Sequence, residues 1–216
     1  MLAKSLQLAV KFALNVGIAC VIGLSMMITG CGSEDDEASE LETEQEIQRV
    51  IADRWQQGYV LEDLILYESA YWWEGFHYES DMGTPQDPSD DFTTDNLKDE
   101  LESARVIFAQ YQDIKIEVSE PVVTVMNDTE AMVKNHYKIQ GFAEGSVLTD
   151  GKRAGWYAEG DNEFTFEQRK AESGAQEWRI AQWHDRAINP TNMTLVGIAN
   201  TPFLKTYCIR KEVMDK

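Results

Sequence analysis

The chain has 216 residues, of which 38 are Asp or Glu and 19 are Lys or Arg, so its formal net charge at pH 7 is −19. A surface this acidic repels the phosphates of nucleic acids and the headgroups of anionic lipids, which argues against a nucleic-acid-binding function. The length allows one domain with a substantial hydrophobic core and a flanking tail.

The first thirty residues have the layout of a secretory signal. Lys4 and Lys11 precede an apolar stretch without acids, and a basic segment followed by an apolar one is typical of such signals. The sequence Ile-Thr-Gly-Cys31 that ends this stretch resembles the lipobox of bacterial lipoproteins. The resemblance implies that residues 1–30 are removed as a signal peptide. It also implies that Cys31 carries a diacylglycerol and that the new amino terminus carries a further, palmitate-type acyl chain. Two or three such chains hold a protein on a membrane, whereas one alone anchors it only marginally.

Two other interpretations of this segment stay open. Residues 12–30 are long enough for an uncleaved transmembrane anchor, and the segment also fits a plain secretory signal with a chance cysteine. Under the lipoprotein interpretation the protein is lipid-anchored in the cell envelope, with the membrane as its first partner. Gly32, and not Asp, follows Cys31, which under the enterobacterial sorting pattern indicates the outer membrane over the inner membrane.

Residues 31–43 are expected to be the lipidated cysteine and an acidic tether. The segment has no aromatic residue and few apolar ones, so it should stay solvated. Removing residues 1–30, which contain two lysines and no acid, changes the formal charge from −19 to −21. Cys20 leaves with the signal and Cys31 is lipidated, so Cys208 remains alone and no intramolecular disulfide is expected.

The folded part is predicted to begin with helices. Thr43 and Glu46 form a capping-box pattern, and apolar residues follow at helical spacing up to Trp55. Gly58 is expected to break this helix. A second, short helix is predicted over residues 61–67 and a third over residues 94–111, with a long acidic loop over residues 84–96 between them.

From residue 114 the apolar residues recur at every second position, which predicts strands with one buried face. The alternating residues are Ile114, Ile116 and Val118, then Val133, Tyr137 and Ile139, then Phe164 and Phe166, then Trp178 and Ile180. Helices that precede a run of strands predict an α+β domain, with the helices packed against a curved antiparallel meander.

Over residues 44–187 this pattern resembles the nuclear transport factor 2-like, or SnoaL-like, family. The resemblance rests on the helix–Gly–short-helix opening, on "NDTEAMVKNHYKI", and on the closing hairpin "NEFTFEQRKAESGAQEWRIAQWHD". It implies three N-terminal helices packed in a cone formed by a strongly curved antiparallel sheet. In this family the cone often encloses an enzyme pocket, while many members bind ligands or partners without catalysis. No shared catalytic motif is present, so neither a catalytic residue nor a cofactor is assigned.

Alternation along the strands predicts a polar row inside the cone. If Phe166 and Ile180 face the core opposite each other, then Asn162 and His184 also pair and face it, with Tyr137 beside them. We expect Tyr137, Asn162 and His184 to form the polar end of an apolar ligand pocket, where the histidine would titrate near neutral pH. The alternative is an internal hydrogen-bond network without a ligand.

A dense aromatic group surrounds His77 in the stretch "YWWEGFHY". Trp72, Phe76 and Tyr78 are predicted to line the mouth of the pocket and to stack on a ligand. The alternative is that the group forms the core seam between helix and sheet, since aromatic side chains dominate protein cores. His136 lies between two lysines and is expected on the surface.

No metal site is predicted. An EF-hand loop that starts at Asp87 would need Gly and Glu where the chain has Phe92 and Lys98, and the three histidines lack zinc-ligand spacing. A looser calcium site remains an alternative to a solvated loop. Its ligands would be Asp87, Asp90, Asp91 and Asp95.

The sequence as a whole predicts a membrane-anchored envelope lipoprotein whose cone domain binds a small apolar ligand or an envelope partner without catalysis. Residues 188–216 form an extension that is apolar enough to pack in part on the domain. The alternatives are a pocket enzyme, a lyase or isomerase, and a structural assembly module. A homodimer is also compatible with the sequence.

Overall fold

A computed structural model describes residues 34–81, 84–147 and 153–188. Helix α1 (Glu34–Arg49) runs through a π-helical segment (Val50–Gln56) into α2 (Gln57–Val60), and two further helices, α3 (Leu64–Glu68) and α4 (Leu97–Gln110), follow. The side chain of Asp63 caps the start of α3 and that of Asn96 caps α4. In the described part of the chain, no helix combines the length and the apolar character needed to cross a membrane.

α4 begins at Leu97, three residues later than predicted, and the first helices differ from the prediction at three further points. α1 begins at Glu34, not at Thr43, so the acidic segment is helical from Glu34 onward; acids in the first turns of a helix are favoured by its dipole. Gly58 does not break the helix; it allows the close approach of Tyr67, whose Cα would be 2.7 Å from an added Cβ. The short helix begins at Leu64, behind its Asp63 cap.

The described residues form seven strands in one sheet. The strands are β1 (His77–Ser80), β2 (Phe92–Thr94), β3 (Tyr111–Val118), β4 (Val122–Asn127), β5 (Glu130–Val147), β6 (Arg153–Lys170) and β7 (Gln176–Ala187). Their order is β2-β1-β7-β6-β5-β3, and β4 also pairs with β5. The sheet is curved and open, so the α+β class is confirmed.

The sheet is not a single antiparallel meander. β5, β6 and β7 form the predicted antiparallel core of the sheet, but β1 pairs with β7 in parallel, with Tyr78 opposite Trp183. The chain after α3 already runs beside the start of β7, where Tyr71 forms a parallel bridge to Ile180. β1 continues in that direction, which explains the parallel edge that alternation alone does not predict.

Aromatic side chains fill the space between the helices and the sheet. Trp55 of the π-helical segment packs on Phe164 and Trp183, with ring centroids at 5.5 and 5.8 Å in edge-to-face geometry, which is a favoured arrangement for aromatic pairs. Many of these residues are fully buried. They include Trp55, Tyr59, Tyr67, Tyr71, Phe76, Tyr78, Tyr137, Phe164 and Phe166. Among the described residues, the protein's own aromatic rings therefore occupy the interior of the cone.

Candidate functional site

A buried carboxylate, Asp185, lies inside the cone. Its Oδ1 accepts a hydrogen bond from the hydroxyl of Tyr137 at 2.8 Å, and its Oδ2 accepts one from the hydroxyl of Tyr78 at 3.1 Å. All three residues are at most 1% exposed. Burial of a carboxylate is costly unless hydrogen bonds compensate it, and the two tyrosines supply such bonds. Tyr137 therefore lies on the inner face as predicted, but its partner is Asp185.

A chain of amides continues from this cluster. The indole Nε1 of Trp183 donates to Oδ1 of Asn162 at 2.9 Å, and Nδ2 of Asn162 donates to Oδ1 of Asn135 at 2.9 Å. Because an indole only donates, it fixes the orientation of Asn162 and hence that of Asn135. Asn162 is buried as predicted. Its contacts correspond to the internal hydrogen-bond network that was the alternative to a ligand pocket.

His184 lies on the outer face of the sheet, contrary to the prediction. Asn162 pairs with Asp185 instead, because the ladder shifts between the Phe166–Ile180 pair and the next one and skips Ala181. A shift of one residue moves every following side chain to the other face. The side chain of His184 is 34% exposed, and its Nε2 is 3.9 Å from Oε1 of Glu79. It does not join Asn162 and Tyr137.

The aromatic group around His77 divides between the core and the surface. Phe76 and Tyr78 are 1% and 0% exposed and belong to the main core, so they do not line a pocket mouth. Trp72 is largely buried against Ala171 and Ala181 on the other face of the sheet. The neighbouring Trp73 is 52% exposed.

A second buried carboxylate was not anticipated from the sequence. Glu100 of α4 is fully buried, and its Oε1 accepts a hydrogen bond from the hydroxyl of Tyr67 at 2.7 Å; that hydroxyl in turn accepts one from Tyr71 at 2.6 Å. A signal was available, because Glu100 falls on the same helical face as the buried Leu97 and Leu101. An acid on an apolar helix face predicts a buried hydrogen-bond partner.

A groove of about 580 Å³ lies at the tip of the β6–β7 hairpin. We call it the tryptophan groove; it is lined by residues 68, 72–74, 169–173, 177 and 179. Because Ile180 faces the core, its neighbour Arg179 faces the opposite side of the sheet, and its guanidinium carbon lies 4.6 Å from the ring centre of Trp72. That of Arg169 lies 5.6 Å from the same ring. These distances are typical of cation–π contacts.

Ion pairs hold the charged side chains of the tryptophan groove. Arg179 donates to Glu177 at 2.8 Å, and Arg169 donates to Glu167 at 2.7 Å and to the carbonyl of Glu74 at 2.6 Å. The hydrogen bond from Arg179 lowers the pKa of Glu177, although partial burial opposes the change. The groove thus presents oriented charges of both signs around the two tryptophans.

Solved structures that resemble this domain include the following three. One is a protein from Kribbella flavida, with a TM-score of 0.54 and 18% identity over 70% of this chain and 95% of that one. Another is a candidate scytalone dehydratase from Novosphingobium aromaticivorans, with a TM-score of 0.56 and 13% identity over 78% of this chain and 98% of that one. The third is hexachlorocyclohexane dehydrochlorinase LinA-type3 from Novosphingobium barchaimii, with a TM-score of 0.53 and 13% identity over 77% of this chain and 99% of that one. The domain has the nuclear transport factor 2-like fold. Neither a protein-family model nor a curated protein matches this chain significantly, and identities this low establish the fold alone.

The outer face of the nuclear transport factor 2-like sheet carries paired charges. His136 lies there as predicted, 2.8 Å from Asp161 and 2.9 Å from Glu159. Burial disfavours the charged form of Glu159, but hydrogen bonds from Tyr157 and His136 outweigh that effect and lower its pKa. Burial, together with the bond to Glu159, raises the pKa of Tyr157 well above its usual value.

Metal ligation finds no support in the described part of this nuclear transport factor 2-like domain, where no group of three His, Cys, Asp or Glu side chains is arranged to hold an ion. In the acidic loop, Asp87 accepts hydrogen bonds from Ser89, and Asp95 lies 2.6 Å from His77. Cys31, Cys208 and the extension after residue 188 lie outside the described residues.

Proposed function

We propose that this protein is a lipid-anchored cell-envelope protein whose nuclear transport factor 2-like domain binds a ligand or a partner at its surface, without catalysis in the cone. One observation carries the second half of this proposal: in the part of the chain that the structure describes, buried aromatic side chains occupy the interior of the cone. Asp185, the carboxylate nearest in character to a catalytic base, is 0% exposed and accepts hydrogen bonds from Tyr78 and Tyr137.

The filled cone favours binding over the enzyme alternative. A general base must come within about 2.6–3.2 Å of the proton that it removes, and a substrate would have to displace several aromatic rings to approach Asp185. Two of the structural neighbours carry the names of a dehydratase and a dehydrochlorinase. In this chain the residues inside the cone form a hydrogen-bond network that stabilises the fold. We therefore place the binding surface outside the cone.

The anchoring half of the proposal rests on the border at Cys31. An apolar stretch without acids ends there, and the acids begin directly after it, as expected for a cleaved and lipidated signal. Full-length protein and the Cys31→Ser variant would be expressed in the host, and membranes would be separated from the soluble fraction. We expect the wild type in the detergent-extracted membrane fraction at the cleaved mass plus acyl chains. Normal cleavage and membrane retention of the variant would refute the proposal.

Native mass spectrometry of the protein extracted from host membranes tests the binding half. We expect a retained ligand or partner to be lost in Trp73→Ala, whose side chain is 52% exposed, and to be kept in Tyr137→Phe, which changes only the cone interior. The reverse result, with the retained mass lost in Tyr137→Phe, would favour a ligand inside the cone.

A further inference from the structure

We propose that the tryptophan groove is a saccharide site that takes the neutral, polyhydroxylated rings of a short oligosaccharide. This inference rests on the proposed binding role and adds the location and the chemical class of the ligand. The groove measures about 580 Å³, within the range of about 300–1,000 Å³ typical of ligand sites.

Trp73 provides the apolar wall of the site. Its side chain is 52% exposed, although exposure of a large aromatic ring to water is unfavourable. The indole Nε1 donates to Oε1 of Glu68 at 2.9 Å, so the ring has a defined orientation. One face of a pyranose ring carries mainly C–H groups, and a fixed indole offers a flat apolar surface for that face.

Trp72 forms a rigid floor beside that wall. Its Nε1 donates to the carbonyl of Glu167 at 2.8 Å, and the guanidinium of Arg179 lies over its ring at 4.6 Å. Both side chains are thus ordered by contacts within the protein. A site whose groups are already held in place loses little conformational entropy on binding, which favours a ligand that makes individually weak contacts.

The charges of the groove select for a neutral ligand. Four carboxylates line it together with three cations. They are Glu68, Glu74, Glu172 and Glu177, with Arg169, Lys170 and Arg179. A strongly anionic ligand meets the carboxylates and a strongly cationic one meets the basic groups, so either sign encounters repulsion.

The hydroxyl groups of a sugar match the hydrogen-bonding capacity that the charged side chains of the tryptophan groove have left. Carboxylate oxygens accept more than one hydrogen bond, and a guanidinium has five N–H donors. Arg179 uses Nε and one terminal nitrogen for Glu177, which leaves both partners with further capacity. A sugar hydroxyl both donates and accepts, so it fits between such paired groups without breaking the ion pair.

The test uses the full-length protein in detergent and isothermal titration with three trisaccharides. The probes are neutral tri-N-acetylchitotriose, its deacetylated cationic form, and anionic trigalacturonate. We expect the neutral probe to bind, and each charged probe to bind at least about tenfold more weakly. A parallel titration with maltotriose and a co-sedimentation assay with purified peptidoglycan distinguish a general sugar site from one for cell-wall glycan.

Variants assign the binding to the groove. Trp73→Ala should raise the Kd of the neutral probe at least about tenfold, which is the effect of losing a central aromatic contact, and Trp73→Phe should retain part of the affinity. Val122→Ala is the matched control, because Val122 is an exposed apolar residue on β4, which contributes no residue to the groove. Circular dichroism and melting curves show whether each variant is folded.

Three results would overturn the inference: no binding of either neutral trisaccharide at millimolar concentration, tighter binding of a charged probe, or an unchanged Kd in Trp73→Ala. The following outcomes distinguish a wrong ligand class from a wrong proposed function. If no sugar binds but the mass retained from the host is lost in Trp73→Ala, surface binding stands and only the ligand class is wrong. If sugar binding is lost in Tyr137→Phe but not in Trp73→Ala, both proposals fail.

Discussion

Tyr137 and Asp185 lie on strands that are not neighbours, β5 and β7, yet the tyrosine hydroxyl reaches the carboxylate at 2.8 Å. Between them runs β6, where Gly160 is the direct partner of Tyr137 in the ladder. A Cβ on Gly160 would lie 2.8 Å from Cε1 and 2.9 Å from the hydroxyl oxygen of Tyr137. Because Gly160 has no side chain, the ring of Tyr137 can pass over β6 at this position and reach Asp185.

Gly160→Ala should therefore destabilise the domain by about 1–3 kcal/mol, the usual cost of an extra group in a packed core. The new methyl group would also move Tyr137 away from Asp185. The free energy of unfolding in urea would be measured for Gly160→Ala, Tyr137→Phe and the double variant. We expect the double variant to cost less than the sum of the two single changes; strict additivity would mean that Gly160 does not position this tyrosine.

Asp185 and His184 should differ sharply in their effect on stability. Asp185→Ala removes the acceptor of hydrogen bonds from two buried hydroxyls, those of Tyr78 and Tyr137, at about 0.5–1.5 kcal/mol for each hydrogen bond lost. His184→Ala removes a half-exposed side chain and should change the free energy of unfolding by no more than about 0.5 kcal/mol. Equal losses in chemical denaturation of the two variants would contradict the bulged register.

Glu163 should contribute to stability only above acidic pH. The hydrogen bond from Lys134 lowers its pKa below the ordinary value of 4.5, partial burial opposes the change, and the charge of Arg186 reinforces it. Because the unfolded chain takes up this proton first, the contribution is complete above pH 4.5 and is lost as the pH falls through the lower folded pKa.

Melting temperatures between neutral pH and pH 3 check this behaviour. Glu163→Gln should lower stability at pH 7 by up to about 1 kcal/mol and reduce the loss below pH 4.5. Lys134→Met should reproduce the effect, whereas Lys115→Met, a change of an exposed lysine on β3, should leave the pH dependence intact. An unaltered acid slope in Glu163→Gln would refute the assignment.

Gly58→Ala tests the contact between α2 and α3. Alanine favours a helix by about 1 kcal/mol over glycine, so propensity alone predicts a more stable protein. The added Cβ would lie 2.7 Å from both Cα and Cβ of Tyr67. Relieving this overlap requires the backbone of α3 to move, which costs free energy. We expect net destabilisation in thermal melts, with Gln57→Ala as the neighbouring helix control. A gain in melting temperature would show that α3 moves freely.

Periodicity was sufficient to predict strands β3, β5, β6 and β7, the α+β class and the pairing of Phe166 with Ile180, all of which are confirmed. Each depends on a local pattern in which the apolar residues are also the buried ones. The predicted loop over residues 84–96 instead contains the short strand β2. The parallel edge of β1 was not predictable in this way. Its strand is only four residues long, and its direction follows from the bridge between Tyr71 and Ile180.

The polar interior was predicted in part. Tyr137 and Asn162 were placed on the inner face because alternation holds along β5 and β6. Asp185 was missed because one bulged residue, Ala181, reverses the alternation of β7 beyond it. A hint was present in the sequence, since the regular register would expose the large indole of Trp183 and bury the polar amide of Gln182, which is the less favourable choice.

A regular alignment of the β6–β7 hairpin, without the bulge at Ala181, would share the turn and the ladder up to the Phe166–Ile180 pair with the observed alignment. Before the helices dock, a chain in either alignment has formed the same local contacts, so the turn cannot choose between them. With Ala181 skipped, Trp183 packs edge-to-face on Trp55 at 5.8 Å and on Tyr78 at 4.9 Å, both outside the hairpin, and these contacts favour the observed alignment. We therefore expect residues that come much earlier in the chain to set the register of the last hairpin. A peptide of the hairpin alone should exchange between both alignments, and the complete chain should fix one of them only when the two ends of the domain meet.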